Sequence, residues 1–337
     1  MVIFGTLFAV AGGLFLNRAL NAQYQNYKAP LQVAIKHGWN SGEVLRHLRQ
    51  AGVLRDDFVP LIYLKTARRG DSLKAGVYRF DVPLSPIAVI DKLVRGDVVM
   101  KTVTIREGLD RFQIATIIRE EGFGTAAQWE KAMHKVELIR DLDPDADSLE
   151  GYLFPETYTL SPGTSPDAIV ATMVSMFRKQ FGGELAFINT GLSFHDTVTL
   201  ASIVETEAQL PADRPMIASV YLNRIRRHMP LQADPTVVYA LKLAGRWDGN
   251  IRRVDLQIES PYNTYRTRGF PPGPIANAGL ASLKAAAAPA STDFLYFVSR
   301  NDGSHVFSRN LAEHNRNVEI FQRQFWRQKR AASDGRR

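Results

Sequence analysis

The chain has 337 residues, of which 45% are hydrophobic, so it can bury a core and divide into two or three domains. It contains no cysteine, which excludes disulfides, thiolate metal sites and a cysteine nucleophile. The formal net charge is +8, but residues 323–337 carry six basic residues against one acidic residue. We therefore expect a solvated basic tail at 323–337, and no nucleic-acid groove in the nearly neutral body.

The N-terminal stretch Met1–Leu16 has no charged residue. A helix that spans a membrane needs about 20 apolar residues, and this run is slightly shorter. We expect a membrane anchor at residues 1–20, with a truncated start because no basic residues precede the run. A cleaved signal peptide is the alternative, since Leu20-Asn21-Ala22 resembles a cleavage site. Either way, most of the chain would lie outside the cytoplasm.

Two stretches, 32–53 and 102–123, repeat one pattern without gaps. Each has a short alternating strand, a glycine at 38 or 108, and a helical pattern that a glycine at 52 or 122 should stop. The pattern predicts two strand–turn–helix units. Between them we expect a strand at 73–80 and a helix at 86–94.

These units resemble small LysM-like modules, which hold glycan chains, and we assign residues 21–145 to a LysM-like repeat domain. A repeat of this size can equally be a packing scaffold with no ligand. Trp39, Tyr63 and Tyr78 could stack on sugars, although aromatic residues on such elements usually belong to the core.

The remainder predicts an α+β protein whose helix-rich domain covers 146–322 and begins near the Gly-, Pro- and aromatic-rich loop 149–158. Ser165-Pro166 should open a helix at 167–181, and Asp196 is the expected N-cap of a helix at 196–209. A short helix is expected at 282–288. Asn301-Asp302-Gly303 predicts a hairpin of strands 296–298 and 304–307.

Two acids, Glu205 and Glu207, lie in an apolar helical run whose hydrophobic residues cover nearly every direction around the axis. Burial disfavours the charged form of a carboxyl, so either acid could hold a proton and donate it. Helical spacing does not choose between them. The alternative is a structural role in buried ion pairs, with candidate partners Arg214, Arg224 and Arg226.

The downstream loops 232–236, 261–265 and 269–275 are rich in amide, hydroxyl and aromatic groups on turns constrained by Pro and Gly. Such groups hydrogen-bond and stack on sugars, so with a buried acid they suggest a polysaccharide cleft. The candidates for orienting the sugar, each of which could instead stabilise the fold, are Asn223, Gln232, Asp234, Thr236, Tyr262, Asn263 and Tyr265.

We expect no metal and no cofactor. The four histidines of the second half show no paired ligand spacing, and the chain has no glycine-rich phosphate loop. These histidines are His195, His228, His305 and His314.

Several strings together resemble the YceG-like family over nearly the whole chain. They are EGYLFPETY, LASIVETE, ASVYLNRIRRHMPLQADPTVVYAL, SPYNTYRTRGFPPGPIANAGLASLKAA and LYFVSRNDGSHVFSRNLAEHN. Glu205 matches the catalytic acid of the family. Glu207 matches a recurrent second acid whose role stays open, and we count it among the substrate-binding candidates.

The resemblance implies an endolytic lytic transglycosylase that cuts MurNAc–GlcNAc bonds of nascent peptidoglycan and leaves 1,6-anhydro-MurNAc ends. It also implies a single-pass protein of the bacterial inner membrane whose catalytic domain lies in the periplasm. Glycan strands are the expected partner, and peptidoglycan synthases are possible partners. Two alternatives remain: a muramidase that uses water, and a non-catalytic, membrane-tethered glycan-binding scaffold.

Overall fold

The computed structural model describes residues 2–182, 190–327 and 329, and side chains from residue 12 onward. Contacts divide the chain into two compact units, one of residues 1–103 with 159–164 and one of residues 104–158 with 165–337. The division between these compact units falls near residue 103, and the predicted domain boundary near residue 145 stays a prediction. The assignment of a glycan-binding domain and a catalytic domain stays a prediction.

The first unit combines short helices with an antiparallel strand pair. Its elements are α1 (Val2–Asn21), β1 (Leu31–Ile35), α2 (Ser41–Gln50), α3 (Phe58–Thr66), β2 (Gly76–Phe80) and α4 (Pro86–Arg95). β1 pairs with β2 from Leu31 opposite Phe80 to Ile35 opposite Gly76. Val33, Leu45 and Ile90 are among the residues of its core. The predicted strand and helix between the repeats are therefore present.

Of the three aromatic residues proposed for sugar stacking in this unit, Tyr78 is fully buried and donates its hydroxyl to the Lys74 carbonyl oxygen. Its sugar-stacking role was wrong, because its ring fills the core between β2 and α4. Trp39 and Tyr63 are half-buried. Trp39 meets the His47 ring edge-on, with the rings' centroids 5.0 Å apart.

The chain then forms β3 (Lys101–Thr104), which pairs with β4 (Thr157–Leu160), and the division between the units passes through both strands. The second unit is helix-rich. Its remaining elements are α5 (Arg111–Glu120), α6 (Ala126–Ala132), α7 (Pro166–Phe181), α8 (Phe194–Glu207), α9 (Arg214–Arg226), α10 (Asp234–Leu243), α11 (Leu280–Ala287), β5 (Tyr296–Ser299), β6 (His305–Ser308) and α12 (Leu311–Val318).

Both copies of the predicted repeat fold as strand, turn and helix. Gly38 and Gly108 have positive φ angles of 85° and 78°, which favour glycine. Asn40 and Asp110 then cap α2 and α5 in the same way, each through a complete capping box. The repeat is therefore a local structural unit, and its second helix belongs to the second unit.

Helix α8 is the centre of the second unit and packs against α9, α10 and α11. Eight consecutive residues, Thr197–Val204, are buried, as the all-round apolar pattern predicts. The predicted cap was wrong: Ser193 accepts from the Asp196 backbone N–H, so the helix begins one turn earlier and Asp196 lies in its first turn. The first-turn carboxylate still complements the helix dipole.

Other predicted elements are present. Ser165 caps α7, and Pro166 is its first residue. β5 and β6 form the antiparallel hairpin, with Asn301 at φ 66° in its turn. Helix α11 ends before Pro289. These elements confirm the mixed helix-and-strand class of the prediction.

The two ends of the chain were predicted to form a membrane anchor and a basic tail. Residues 2–21 form α1, but in the portion of the chain that the structure describes no helix combines the length and apolarity needed to cross a membrane. The expected basic tail lies mostly outside the described residues.

Candidate functional site

Glu205 lies on the last turn of α8, and its side chain is only 6% exposed. Arg214 Nη2, from the start of α9, lies 3.2 Å from its Oε1. The backbone N–H of Gly279, which caps α11, donates to Oε2 across 3.0 Å. A guanidinium and a helix N-terminus both favour a carboxylate. The ion pair with Arg214 that the sequence offered as an alternative is thus present.

Arg214 connects Glu205 to its surroundings. Its Nε donates to Ser282 Oγ of α11 across 2.9 Å. Its Nη2 also lies 3.9 Å from Glu107 Oε2. One guanidinium therefore faces two carboxylates, and its orientation is set by a hydroxyl on a neighbouring helix.

Glu107 is the residue that sequence reasoning missed. It lies in the turn of the second repeat, and half of its side chain is exposed. Partial burial and the neighbouring Glu205 raise its pKa, whereas Arg214 lowers it. A comparison of the two repeats could have identified it, because both copies have a titratable residue at this position: His37 in the first copy and Glu107 in the second.

Two glycines allow the Glu107 turn to lie close to Glu205 and to the start of α11. Gly108 lies against Glu205, since a Cβ there would be 3.7 Å from the Glu205 Cγ. Gly279 lies under Glu107, since a Cβ there would be only 1.8 Å from Glu107 Oε1. A larger residue at 279 would require the Glu107 side chain to move.

A buried asparagine fixes the turn that carries Glu107. Asn277 Nδ2 donates to the Leu109 carbonyl, and its own carbonyl accepts from the Gly108 N–H. Its Oδ1 accepts from the Leu153 N–H. Two other segments, the Glu107 turn and the segment of Leu153, are therefore held by the side chain and backbone of Asn277.

Glu150, from the EGYLFPETY string, is buried beneath this turn. Both of its oxygens accept from the Arg111 N–H, and Tyr239 and Asn277 also donate to them. Burial raises the pKa of Glu150 to about 8, while the Arg111 N–H opposes this shift. Glu150 thus satisfies the N-terminus of α5 and supports the site without lying at its surface.

Glu207 lies on the opposite face of α8, because two residues correspond to about 200° of rotation. Tyr221 donates its hydroxyl to Glu207 across 3.1 Å. Burial raises the pKa of Glu207 to about 7, and Asp234 adds to the rise, whereas Tyr221 and Arg224 lower it. The described contacts of Glu207 and those of Glu205 share no residue.

Two of the predicted sugar-orienting residues, Asp234 and Tyr265, lie near Glu207, and Gln232 precedes Asp234 in the same loop. Gln232, at φ 52°, and Asp234 are exposed, and Tyr265 is half-buried. Tyr265 donates its hydroxyl to Asp234 Oδ1 across 2.5 Å. These polar groups remain available at the surface.

The other predicted residues point into the fold. Asn223 donates to the carbonyls of Thr292 and Phe294, and Asn263 to those of Leu256 and Ile258. Thr236 is buried against Thr264, and Tyr262 is buried beside Tyr239. Their amide and hydroxyl groups hold loops together.

The described residues contain no group of three or more side chains that could hold a metal ion. Instead, His195 lies 2.7 Å from Asp143 and 2.8 Å from the Pro272 carbonyl. The bond to Asp143 raises the pKa of His195 to about 9. Two acceptors on one imidazole suit its protonated form, which makes this a structural ion pair.

A cavity of about 630 Å³ is lined by Arg106 and Leu109, which flank the Glu107 turn, and by residues of α5 and α10. Its polar groups include Arg106, Gln113 and Lys242, and its aromatic groups are Phe112 and Trp247. Lys242 is paired with Asp110, whereas Arg106 has no ion pair in the part of the chain that the structure describes. A cation beside two aromatic rings can bind an anionic sugar derivative.

The site therefore combines a nearly buried carboxyl group, an arginine and a half-exposed second carboxyl group, and this combination suits acid–base chemistry on a ligand outside the helix. Comparison with known proteins supports this class. The model of the YceG-like family matches residues 33–320, so the chain belongs to the YceG-like family.

Curated relatives in two bacteria are both named endolytic murein transglycosylases. The endolytic murein transglycosylase of Bacillus subtilis is 34% identical over 93% of this chain and 91% of its own length. That of Streptococcus pneumoniae is 30% identical over 87% of this chain and 58% of its own length. The crystal structure of a yceG-like protein from Listeria monocytogenes has 32% sequence identity and a TM-score of 0.57, and the match covers 86% of this chain and 99% of that chain.

Proposed function

We propose that the chain is an endolytic murein transglycosylase, a lyase that cuts the glycan strands of peptidoglycan. The observation that carries the proposal is the environment of Glu205, a nearly buried acid at the end of α8. Its carboxylate accepts hydrogen bonds from Arg214 and from the Gly279 N–H. The relatives with this name and the family match support the substrate class. The roles of the individual residues in the reaction belong to the same proposal.

Glu205 acts first as the general acid. In its protonated form it donates to the oxygen between MurNAc C1 and the following GlcNAc, and the C1–O bond breaks. The GlcNAc leaves as an alcohol, and positive charge develops at C1. Glu205 becomes a carboxylate, which Arg214 and the Gly279 N–H stabilise.

The same carboxylate then acts as the base. It accepts the proton of the MurNAc C6 hydroxyl while that oxygen attacks C1. A C1–O6 bond closes the 1,6-anhydro ring, Glu205 regains its proton, and no water is consumed. Because the nucleophile belongs to the substrate, much of the entropic cost is already met.

The cavity beside the Glu107 turn accommodates the sugars next to the cut. Phe112 and Trp247 supply faces for stacking, and Arg106 supplies a positive charge for the carboxylates of a peptide stem. Gln232, Asp234 and Tyr265 remain candidates for contacts on the Glu207 side. The glycan strand would then be contacted on both the Glu205 side and the Glu207 side of α8.

The location of the protein is a further part of the proposal. The uncharged N-terminal run supports a single-pass anchor in the inner membrane with the remainder in the periplasm. The strand–turn–helix repeats would then act as LysM-like glycan contacts, and synthases that extend the strand would be partners. Accessibility of an added cysteine to an impermeant thiol reagent in whole cells and spheroplasts tests this arrangement.

Mass spectrometry of glycan digests tests the reaction. Anhydro ends, one water lighter than reducing ends, are expected from the purified chain. Reducing ends would instead indicate a muramidase, and no fragments would indicate a glycan-binding scaffold. Neither alternative is favoured by the relatives, whose names specify transglycosylases.

A further inference from the structure

We propose that Glu107 is a positioning residue of the reaction, which keeps a proton on Glu205 by competing with it for Arg214. This inference rests on the proposed transglycosylase function and adds a second carboxyl group to a mechanism that needs only one. Through Glu107, the turn of the second repeat would take part in the reaction.

The geometry supports the competition. Arg214 Nη2 lies 3.2 Å from Glu205 Oε1 and 3.9 Å from Glu107 Oε2. The Glu107 carboxyl also lies over Gly279, the residue whose N–H binds Glu205. Both donors that stabilise the Glu205 carboxylate are thus next to Glu107.

Glu107 acts on Glu205 through its charge. Arg214 and the Gly279 N–H both donate to the Glu205 carboxyl group, but the first step needs that group in its protonated form. A second negative charge beside the same guanidinium disfavours ionisation of both carboxyl groups together, so that the pair shares a proton. Burial raises the pKa of Glu107 and the neighbouring Glu205 adds to the rise, and this second contribution agrees with the coupling.

Among the residues that the structure describes, Glu205 is faced by two charged side chains and by a backbone N–H, which come from three elements. Arg214 comes from α9, Glu107 from the turn before α5, and the Gly279 N–H from the N-terminus of α11. Ser282 on α11 contacts the guanidinium and carries no charge. Glu150 lies beneath the turn and makes its contacts with Arg111, Tyr239 and Asn277 instead.

The pH dependence of kcat/KM for glycan cleavage tests this role. In Glu107→Gln the alkaline limb of the profile should move about 1 pH unit to lower pH, because Glu205 loses its proton more readily. Glu107→Asp keeps the charge and should leave the alkaline limb close to its wild-type position. Glu120→Gln, an equal charge change at the exposed end of α5, should leave the profile in place.

A second variant moves Glu107 without removing its charge. In Gly279→Ala the new Cβ occupies the position of the Glu107 carboxyl, while the N–H that binds Glu205 remains. The φ of residue 279 is −73°, which alanine adopts without strain. The alkaline limb should move in the same direction as in Glu107→Gln.

The outcomes separate this inference from the proposed function. An active wild type, an inactive Glu205→Gln and an unmoved alkaline limb in both Glu107→Gln and Gly279→Ala would overturn the role of Glu107 alone. A uniform loss of kcat with no movement of the limb would also overturn it, since that result indicates direct stabilisation of the reacting sugar. A wild type that releases no anhydro ends would overturn the function itself.

Discussion

The backbone N–H of Gly279 binds the Glu205 carboxylate at 3.0 Å, and this bond connects the end of α8 to the start of α11. The two helices are adjacent in space although 74 residues separate the bonded groups. The candidate acid is therefore held by backbone as well as by side chains, and its position depends on how these helices pack.

Glu205→Gln should abolish cleavage, with a loss of at least about 10³-fold, because an amide cannot donate the proton. The fold should be preserved, as judged by circular dichroism and thermal unfolding. Mass spectrometry of the digest measures the loss. Glu207→Gln is the matched change on the other face of α8 and should retain cleavage. The reverse pattern would assign the acid role to Glu207.

Arg214→Gln should lower the free energy of unfolding by about 3–5 kcal/mol, because it leaves the nearly buried Glu205 without its cation. Urea unfolding measures the difference. Arg226→Gln, on the exposed face of the same helix, should cost less than about 0.5 kcal/mol. Equal stabilities of the two variants would contradict a structural ion pair at Glu205.

Asn277→Ala should destabilise the second unit by about 3 kcal/mol, because the Leu109 carbonyl, the Leu153 N–H and Glu150 each lose a buried partner. Cleavage should fall as well, since the turn that carries Glu107 loses its side-chain bond to residue 277 and keeps only the backbone bonds of Gly108 and Leu109. Asn250→Ala removes an exposed amide and serves as the control. Thermal unfolding and the cleavage assay report the two effects.

The ion pair of His195 with Asp143 predicts a pH dependence of stability. The pKa of His195 is raised to about 9, so its contribution is complete below the unfolded value near 6.5 and is lost as the pH rises through 9. The stability difference between wild type and His195→Gln should therefore shrink between about pH 6.5 and 9. His228→Asn, at an exposed histidine, is the matched control.

Trp247→Ala should weaken binding of glycan strands about 5- to 70-fold, because it removes a stacking face worth about 1–2.5 kcal/mol from the cavity. The effect should appear mainly in KM. Trp326→Ala removes an exposed tryptophan elsewhere on the unit. If both variants bind strands as the wild type does, the cavity is not part of the glycan site.

Local signals in the sequence predicted much of the fold. Glycines 38 and 108 marked both turns of the repeat, Ser165-Pro166 marked the start of α7, and Asp302-Gly303 marked the hairpin, because each acts through its immediate neighbours. The cap of α8 was wrong by three residues, since Ser193 and Asp196 both suit that position and packing decided between them.

The candidate site was less predictable. Glu205 and Glu207 were recognisable because charges in an apolar helix are unusual, but only the fold assigns Arg214 to one and Tyr221 to the other. Glu107 lies about a hundred residues earlier, in a turn that hydrophobic patterning treats as surface. Asn263 and Thr236 appeared suited to sugars because composition does not reveal the direction of a side chain.

The bonds of Asn277 and Glu150 set the limits of an independently folding fragment. A fragment cut at residue 146, where patterning placed the start of the catalytic domain, would lack Leu109 and Arg111, which bind these two side chains. It would also lack α5, whose N-terminus Glu150 satisfies, and would expose the groups now covered there. A fragment designed for crystallisation or inhibitor screening should therefore begin before β3.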